Sequence, residues 1–283
     1  MASISGQAPS KVVIDYRVST GTLRLTGATT SEDVRQAMFD HEWALSLELR
    51  ECPDLEEIPS LPYVRDLKIR DCLRLKTLPL LDSLLNLSVR RCAAFRVQPS
   101  TTPQLNRVDL QDCPSLDTLP VVRDLEYVNL VRCPLISKVT EYAELLELKV
   151  SECERVASIE ASEYLHALTL VALPRLTSLS NLGHVEKLRI FNCPALESAP
   201  GTTAVYDLDI RECPKLVGPF IELGLDTDPD PSVIIAINCP QAIMSYIPEY
   251  ISEVCAIRGE GEGIGGGTMG PRSTTRPEPN VYS

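Results

Sequence analysis

The sequence predicts an α/β-type solenoid, a stack of short repeats carrying one parallel β-sheet, and three observations predict it. Cysteines stand at 52, 72, 92, 113, 133, 153, 193 and 213, with steps of 20, 20, 21, 20, 20, 40 and 20 residues. Each sits at the same beat of a unit reading L-x-L-x-x-C-P-x-L-x-x-L-P, as in VDLQDCPSLDTLP (108–120) and LRIFNCPALESAP (188–200). The apolar content is aliphatic: hydrophobic residues make up 44% of the chain and aromatics 5%, which suits a leucine-filled stack better than a sandwich. A period near twenty residues is too short to bury an apolar face within one unit, so neighbouring units must stack to make a core.

The elements follow in order along the chain. KVVIDYRV (11–18) and TLRLTG (22–27) read as two strands around a Ser-Thr-Gly turn. TSEDVRQAMFDHEWAL (30–45) reads as a helix, with Thr30 and Asp33 spaced for a capping box and Val34, Met38 and Leu45 near one face. Together these form an N-terminal cap over 1–45, with Trp43, the single tryptophan, expected to plug it. About ten repeats and a C-terminal cap then occupy 46–257. In each repeat the L-x-L alternation is a strand, and the prolines that punctuate the return path keep it extended or tightly turned. The missed beat between Cys153 and Cys193 falls in LTLVALPRLTSL, where Leu173 takes the slot, and a last copy carries Cys239. PEYISEVCAI (248–257) reads as a short closing helix with Pro248 at its first position. Residues 258–283 form a Gly- and Pro-rich tail with no periodicity, read as disordered.

Leu67, Ile69, Cys72 and Leu75 in one copy, and Leu188, Ile190, Cys193 and Leu196 in another, match the strand motif L-x-x-L-x-L-x-x-N/C-x-L. On these residues the chain resembles the leucine-rich repeat family over about 46–240. That resemblance implies a horseshoe with the parallel sheet on its concave face and a mostly extended or turn-built convex side. In length and in the L-P element the repeats are similar to those of bacterial type III secreted effectors of the IpaH and YopM group. Those effectors carry Asn where this chain has Cys, and the chain leaves no room for the ligase domain of an IpaH-like protein. Plant immune receptors contain similar stretches, but no GxxxxGK[ST] loop occurs here. The effector resemblance implies action inside a host cell after export without a Sec signal. The nine Ser and Thr residues of 1–30 fit such a segment and equally a flexible end.

Composition excludes several functions. A net charge of −12 argues against a nucleic-acid or anionic-membrane surface taken over the whole molecule. No apolar run reaches the roughly 18 residues of a membrane span. The N-terminus lacks the basic and apolar regions of a secretory signal, so the cysteines are read as those of a reducing, intracellular protein. Where the chain leaves each strand it turns inward against backbone polar groups. A small buried residue with a weak S–H donor serves that corner, which gives Cys52, Cys72, Cys92, Cys113, Cys133, Cys153, Cys193, Cys213 and Cys239 a structural role. Zinc is not expected, since there is no CxxC pair and His41, His166 and His184 are scattered. Asp226, Asp228 and Asp230 lack the Gly and closing Glu of a calcium loop and read as a solvated acidic loop. Neither a metal nor a cofactor is expected.

Residues alternating with the core leucines project from the sheet. The position two before each cysteine gives Arg50, Arg70, Arg90, Gln111, Val131, Ser151, Val171, Phe191 and Arg211. Three arginines side by side on neighbouring strands repel one another, and Lys68 and Arg107 lie nearby. Such a patch on an acidic protein points to a protein partner with an acidic surface, unless Glu48, Glu51, Asp71 and Asp112 neutralise it. Tyr127, Val131, Val171 and Phe191 add apolar contact area beside the arginines Arg189 and Arg211, the composition of interface hot spots. The function expected is therefore a non-enzymatic binding scaffold. The alternative is a ubiquitin-ligase adaptor or effector enzyme subunit using Cys255, which lies off the repeat register in EVCAI with no adjacent histidine. Oligomeric state stays open.

Overall fold

The computed structural model describes residues 12–28, 30–98, 102–140, 142–160, 162, 165–180, 182, 185–199 and 207–216, and the backbone of 233–237. Cys239, the expected closing helix with Cys255, the three aspartates of 226–230, the tail, and Ser3, Ser5, Ser10 and Thr29 of the Ser- and Thr-bearing start lie outside these residues.

The chain winds as a β-solenoid. It opens with β1 (Val13–Arg17) and β2 (Thr22–Thr26), an antiparallel pair joined through a single 3-10 turn. Gly21 closes that turn at φ 58, a left-handed conformation that favours glycine. Helix α1 (Ser31–Asp40) follows and is capped as its sequence predicts. The Thr30 hydroxyl accepts from the Asp33 N–H at 3.2 Å, and the Asp33 carboxylate accepts from the Thr30 N–H at 2.9 Å. The repeat strands come next: β3 (Ser46–Arg50), β4 (Asp66–Arg70), β5 (Asn86–Arg90), β6 (Arg107–Gln111) and β7 (Tyr127–Val131). Beyond β8 (Lys138–Val139) the windings alternate long and short strands: β9 (Glu147–Ser151), β10 (Ser158–Glu160), β11 (Ala167–Val171), β12 (Ser178–Ser180) and β13 (Lys187–Phe191). The last are β14 (Asp207–Arg211) and β15 (Val233–Ile237).

Twelve strands make one sheet in the order β1-β2-β3-β4-β5-β6-β7-β9-β11-β13-β14-β15, parallel throughout except for the β1–β2 pair. The register never slips: Leu47, Leu67, Leu87, Val108, Val128, Leu148, Leu168, Leu188 and Leu208 are aligned partners. Each is buried, as is the residue two further on, so each of these nine strands delivers two side chains inward. The inner columns, the cysteines and the Leu55-type residues after them form one continuous core. The return paths contain no helix among the described residues. Among the described residues the helical part of the expected α/β class is therefore the α1 helix of the cap. On the return side β8, β10 and β12 add a small parallel sheet of their own, which the proline-punctuated sequence does not announce.

The corner after each strand explains the cysteine beat. The residue before the cysteine slot takes the left-handed conformation in nine successive windings, at φ 48 to 58 from Glu51 to Glu212. This turns its N–H onto the next strand, where Glu51 donates to the Arg70 carbonyl at 3.0 Å and Arg91 to that of Gln111 at 2.9 Å. The thiol then swings inside. Cys52 donates to the Arg50 carbonyl at 3.2 Å, and Cys113 to those of Gln111 and Val89 at 3.4 and 3.7 Å. All eight described cysteines are free thiols and fully buried, and Leu173 fills its slot equally buried. Burial pushes the Cys153 thiol up to about 12. The Cys72 thiol is held above the usual range by hydrogen bonding to its Cys52 and Cys92 neighbours and by burial.

The cap departs from expectation at two residues. Trp43 is 78% exposed and Leu45 45% exposed, so neither plugs the stack. Helix α1 ends at Asp40, before the register that would carry both inward, and its buried contacts are Val34 and Ala37, with Met38 packed at the core's margin.

Candidate functional site

Because two positions of every repeat strand are committed inward, the other three form parallel columns on the outward face. One column runs Ser46, Asp66, Asn86, Arg107, Tyr127, Glu147, Ala167, Lys187 and Asp207. The central column runs Glu48, Lys68, Ser88, Asp109, Asn129, Lys149, Thr169, Arg189 and Asp209, and the third runs from Arg50, Arg70 and Arg90 to Phe191 and Arg211. The first column enters the sequence reading only through Arg107 and Tyr127. It supplies Asp66 and Asn86, whose side chains hydrogen-bond each other at 2.6 Å.

Strands β3 to β6 hold a groove of about 470 Å³ between these columns, lined by Arg50, Lys68, Arg70, Arg90 and Arg107 together with Glu48, Asp66 and Asp109. Five cations face three carboxylates, a local excess of positive charge on a chain of net charge −12. The pairing within it is uneven. Glu48 takes Arg24 at 2.7 Å on one side and Arg50 Nε at 2.6 Å on the other. Asp109 is the hub of β5, β6 and β7, accepting from Arg90 at 2.5 Å, from Gln111 and Asn129 at 2.8 Å each, and from Ser88 at 3.2 Å. Burial would raise both acids, but the hydrogen bonds and positive charges outweigh it, and both carboxyls lie below their ordinary range.

Lys68 and Arg70 make no ion pair among the described residues. The acids weighed from the sequence as neutralisers of the arginine column divide differently in space. Glu48 reaches Arg50, whereas Asp71 is drawn off by Arg91 in a two-point pair at 2.6 Å for each bond. Asp112 is taken by Arg132 at 2.5 and 2.9 Å. These pairs run along the left-handed corner ridge beside the third column and hold Asp71 and Asp112 below their usual range. Asp109, from the central column, is the acid that meets Arg90.

Arg107 stacks its guanidinium 3.8 Å from the Tyr127 ring centroid, with the Lys149 ammonium 5.8 Å from the same ring. Beyond β6 the third column turns apolar. Val131, Val171 and Phe191 are half-buried, with Ser151 between them. Arg211 lies 5.5 Å from the Phe191 ring and is bound to Asp209 at 2.7 and 2.8 Å, and Arg189 pairs with Asp207 at 2.8 Å. The sequence-selected residues thus share one face but form two clusters along it: Arg50, Lys68, Arg70, Arg90 and Arg107 at one end, and Val131, Val171, Phe191, Arg189 and Arg211 at the other, with Tyr127 between. Among the described residues no group of three or more His, Cys, Asp or Glu side chains could hold a metal, and no helix is long and apolar enough to cross a membrane.

Fold and face define the class: a β-solenoid of about twenty-residue windings with a charged groove on its outward sheet face. No protein-family model, curated protein or solved structure matches the chain.

Proposed function

We propose that this protein is a non-enzymatic binding scaffold of the leucine-rich repeat type, similar in repeat length to the short effector repeats, and that it captures a protein partner bearing an acidic patch. The groove over β3 to β6 is the contact. One observation carries the reading: Lys68 and Arg70 stand in a groove of cationic excess without an ion pair among the described residues, on a protein whose net charge is strongly negative. Neighbouring like charges in a sheet repel. Their charge is available to a ligand, and the field it creates steers acidic surfaces toward this face.

The experiment is affinity capture from host-cell cytosol with the wild-type chain beside a Lys68→Glu, Arg70→Glu variant. Neither side chain makes an ion pair among the described residues, so no such bond is lost with them; a neutral Lys68→Gln, Arg70→Gln variant, which sets no new carboxylate opposite Glu48, Arg50 or Arg90, runs beside it, and circular dichroism checks both folds. The expected result is a partner retained by wild type, lost by the folded variants, and released as salt rises. A partner held equally by wild type and variants would move the contact away from the groove and refute the reading.

A further inference from the structure

The outward face is ordered along its length as well as charged, and this order selects the chemistry of what lies on it. In the third column Arg50, Arg70 and Arg90 are succeeded by Gln111, Val131, Ser151, Val171 and Phe191 on consecutive strands of the large sheet. Three strand steps separate Arg70 from Val131, and three more separate Val131 from Phe191. At roughly 4.8 Å per step each interval is about 14 Å, and the whole track about 29 Å. Of the charges at the far end, Arg211 is matched by Asp209 and Arg189 by Asp207, with Lys187 the exception among the described residues, and the half-buried Val131, Val171 and Phe191 are the apolar contact surface there. The ridge acids Asp71 and Asp112 are matched in the same way by Arg91 and Arg132, so they do not cancel the cationic end.

We infer that this face reads a bipartite linear segment of its partner, extended along the solenoid axis, with a carboxylate cluster over Lys68 and Arg70 and an aliphatic or aromatic group near Val171 and Phe191. An extended chain rising about 3.3 Å per residue covers the track in about nine residues, with about four between the acidic cluster and the start of the apolar group. A helix rising 1.5 Å per residue would need about nineteen, with both chemistries confined to one of its faces. The extended form is the better fit because about nine residues then carry both chemistries across the track. This inference rests on the scaffold reading and narrows it from any acidic patch to a segment with an order.

The test is selection of a random twelve-residue peptide library displayed on phage against the full chain. Enriched peptides are then titrated as free synthetic peptides against wild type, Lys68→Glu/Arg70→Glu and Val171→Ser/Phe191→Ser. The expected result is enrichment of peptides carrying Asp or Glu at one end and an apolar residue about four or more positions away. Their binding should fall at least tenfold on either variant, and permuting the same residues should abolish it. Only the loss on the charge variant should shrink as salt rises. Enriched peptides that are acidic throughout and indifferent to Val171→Ser/Phe191→Ser would overturn the inference, as would a failure to enrich. A protein captured from cytosol that is lost on Lys68→Glu/Arg70→Glu but kept on Val171→Ser/Phe191→Ser would overturn the bipartite inference while leaving the scaffold reading standing.

Discussion

Ala172 offers a direct measure of what the repeat corner costs the fold. It occupies the left-handed position at φ 53 in the winding that lacks a cysteine, is half-buried, and has no side-chain group to hydrogen-bond in compensation. An L-residue there is disfavoured by roughly 1–2 kcal/mol, and Gly removes that term. Gly also gives the unfolded chain more freedom, offsetting roughly 0.4–1 kcal/mol, and deletes a partly covered methyl worth a few tenths more, against about 0.8 kcal/mol for a fully buried one. Ala172→Gly is therefore expected to stabilise by about 0.5 kcal/mol. The control is Ala167→Gly, in β11 and also half-buried, where the backbone is extended. The last two terms recur there and the first does not, so that variant should destabilise by about 1 kcal/mol. The difference between the two variants, about 1–2 kcal/mol, isolates the backbone term. Urea unfolding followed by circular dichroism, with midpoints compared at equal slopes, measures it. If Ala172→Gly loses as much as Ala167→Gly, the corner is not left-handed and the account of the cysteine beat fails with it.

Three further outcomes are expected. Asp109 and Glu48 have carboxyls lowered in the folded state, so the stability they contribute is present above the ordinary carboxylate values of about 4 and declines as pH falls through their depressed native values. Asp109→Asn should flatten the acid side of a stability-versus-pH curve below about pH 4, and an unchanged slope there would refute its role as hub. The thiols of Cys52, Cys72, Cys92, Cys113, Cys133, Cys153, Cys193 and Cys213 should resist alkylation at neutral pH until the chain unfolds. Peptide mass mapping with a timed iodoacetamide pulse reads this, and labelling of any of them faster than global unfolding would contradict full burial. Trp43, as the single tryptophan, should emit like a solvated indole and be quenched readily by acrylamide, whereas a blue-shifted, protected signal would return it to the core.

The solenoid was legible because its signal repeats. Any one L-x-L-x-x-C is ambiguous between a strand and a turn of helix, but nine copies at steps of 20 or 21 residues, one of them with Leu173 in the cysteine slot, admit one explanation, and the register from Leu47 to Leu208 follows that spacing without a slip. Single-copy features were less readable. Trp43 follows α1 in sequence, yet whether it turns inward depends on where the helix stops, and the sequence pattern does not fix the end at Asp40. The corner conformation was hidden as well, because its occupants, Glu, Asp, Arg, Ala and Asn, include no Gly to announce a positive φ. On the outward face the columns could be read from alternation, but the pairing could not. Asp71 lies next to Arg70 in sequence and bonds Arg91, while Asp109 lies nineteen residues from Arg90 and bonds it. Charge partners on a sheet are chosen by neighbouring strands, and the sequence offers several acids at similar distance from each arginine.

On the proposed reading, that distinction between matched and unmatched charge separates the structural from the binding residues of this face. Arg91 and Arg132 each face an acid on the corner of an adjacent winding, an arrangement that stitches windings together and leaves little field outside. Arg50 and Arg90 are half committed, tied to Glu48 and Asp109 by bonds that fix their direction while the guanidiniums stay at the surface. Lys68 and Arg70 lie between them on β4, beside Glu48 of β3, which is already paired, and Asp66 of their own strand, which accepts from Asn86. A carboxylate entering the groove would meet two uncommitted cations bracketed by two that are held in place, so it need not first break an internal ion pair to bind, and the ordering of the flanking arginines is complete before it arrives. On the proposed reading, the central position of β4 in the groove, more than the number of arginines, suits this stretch of the sheet to a ligand.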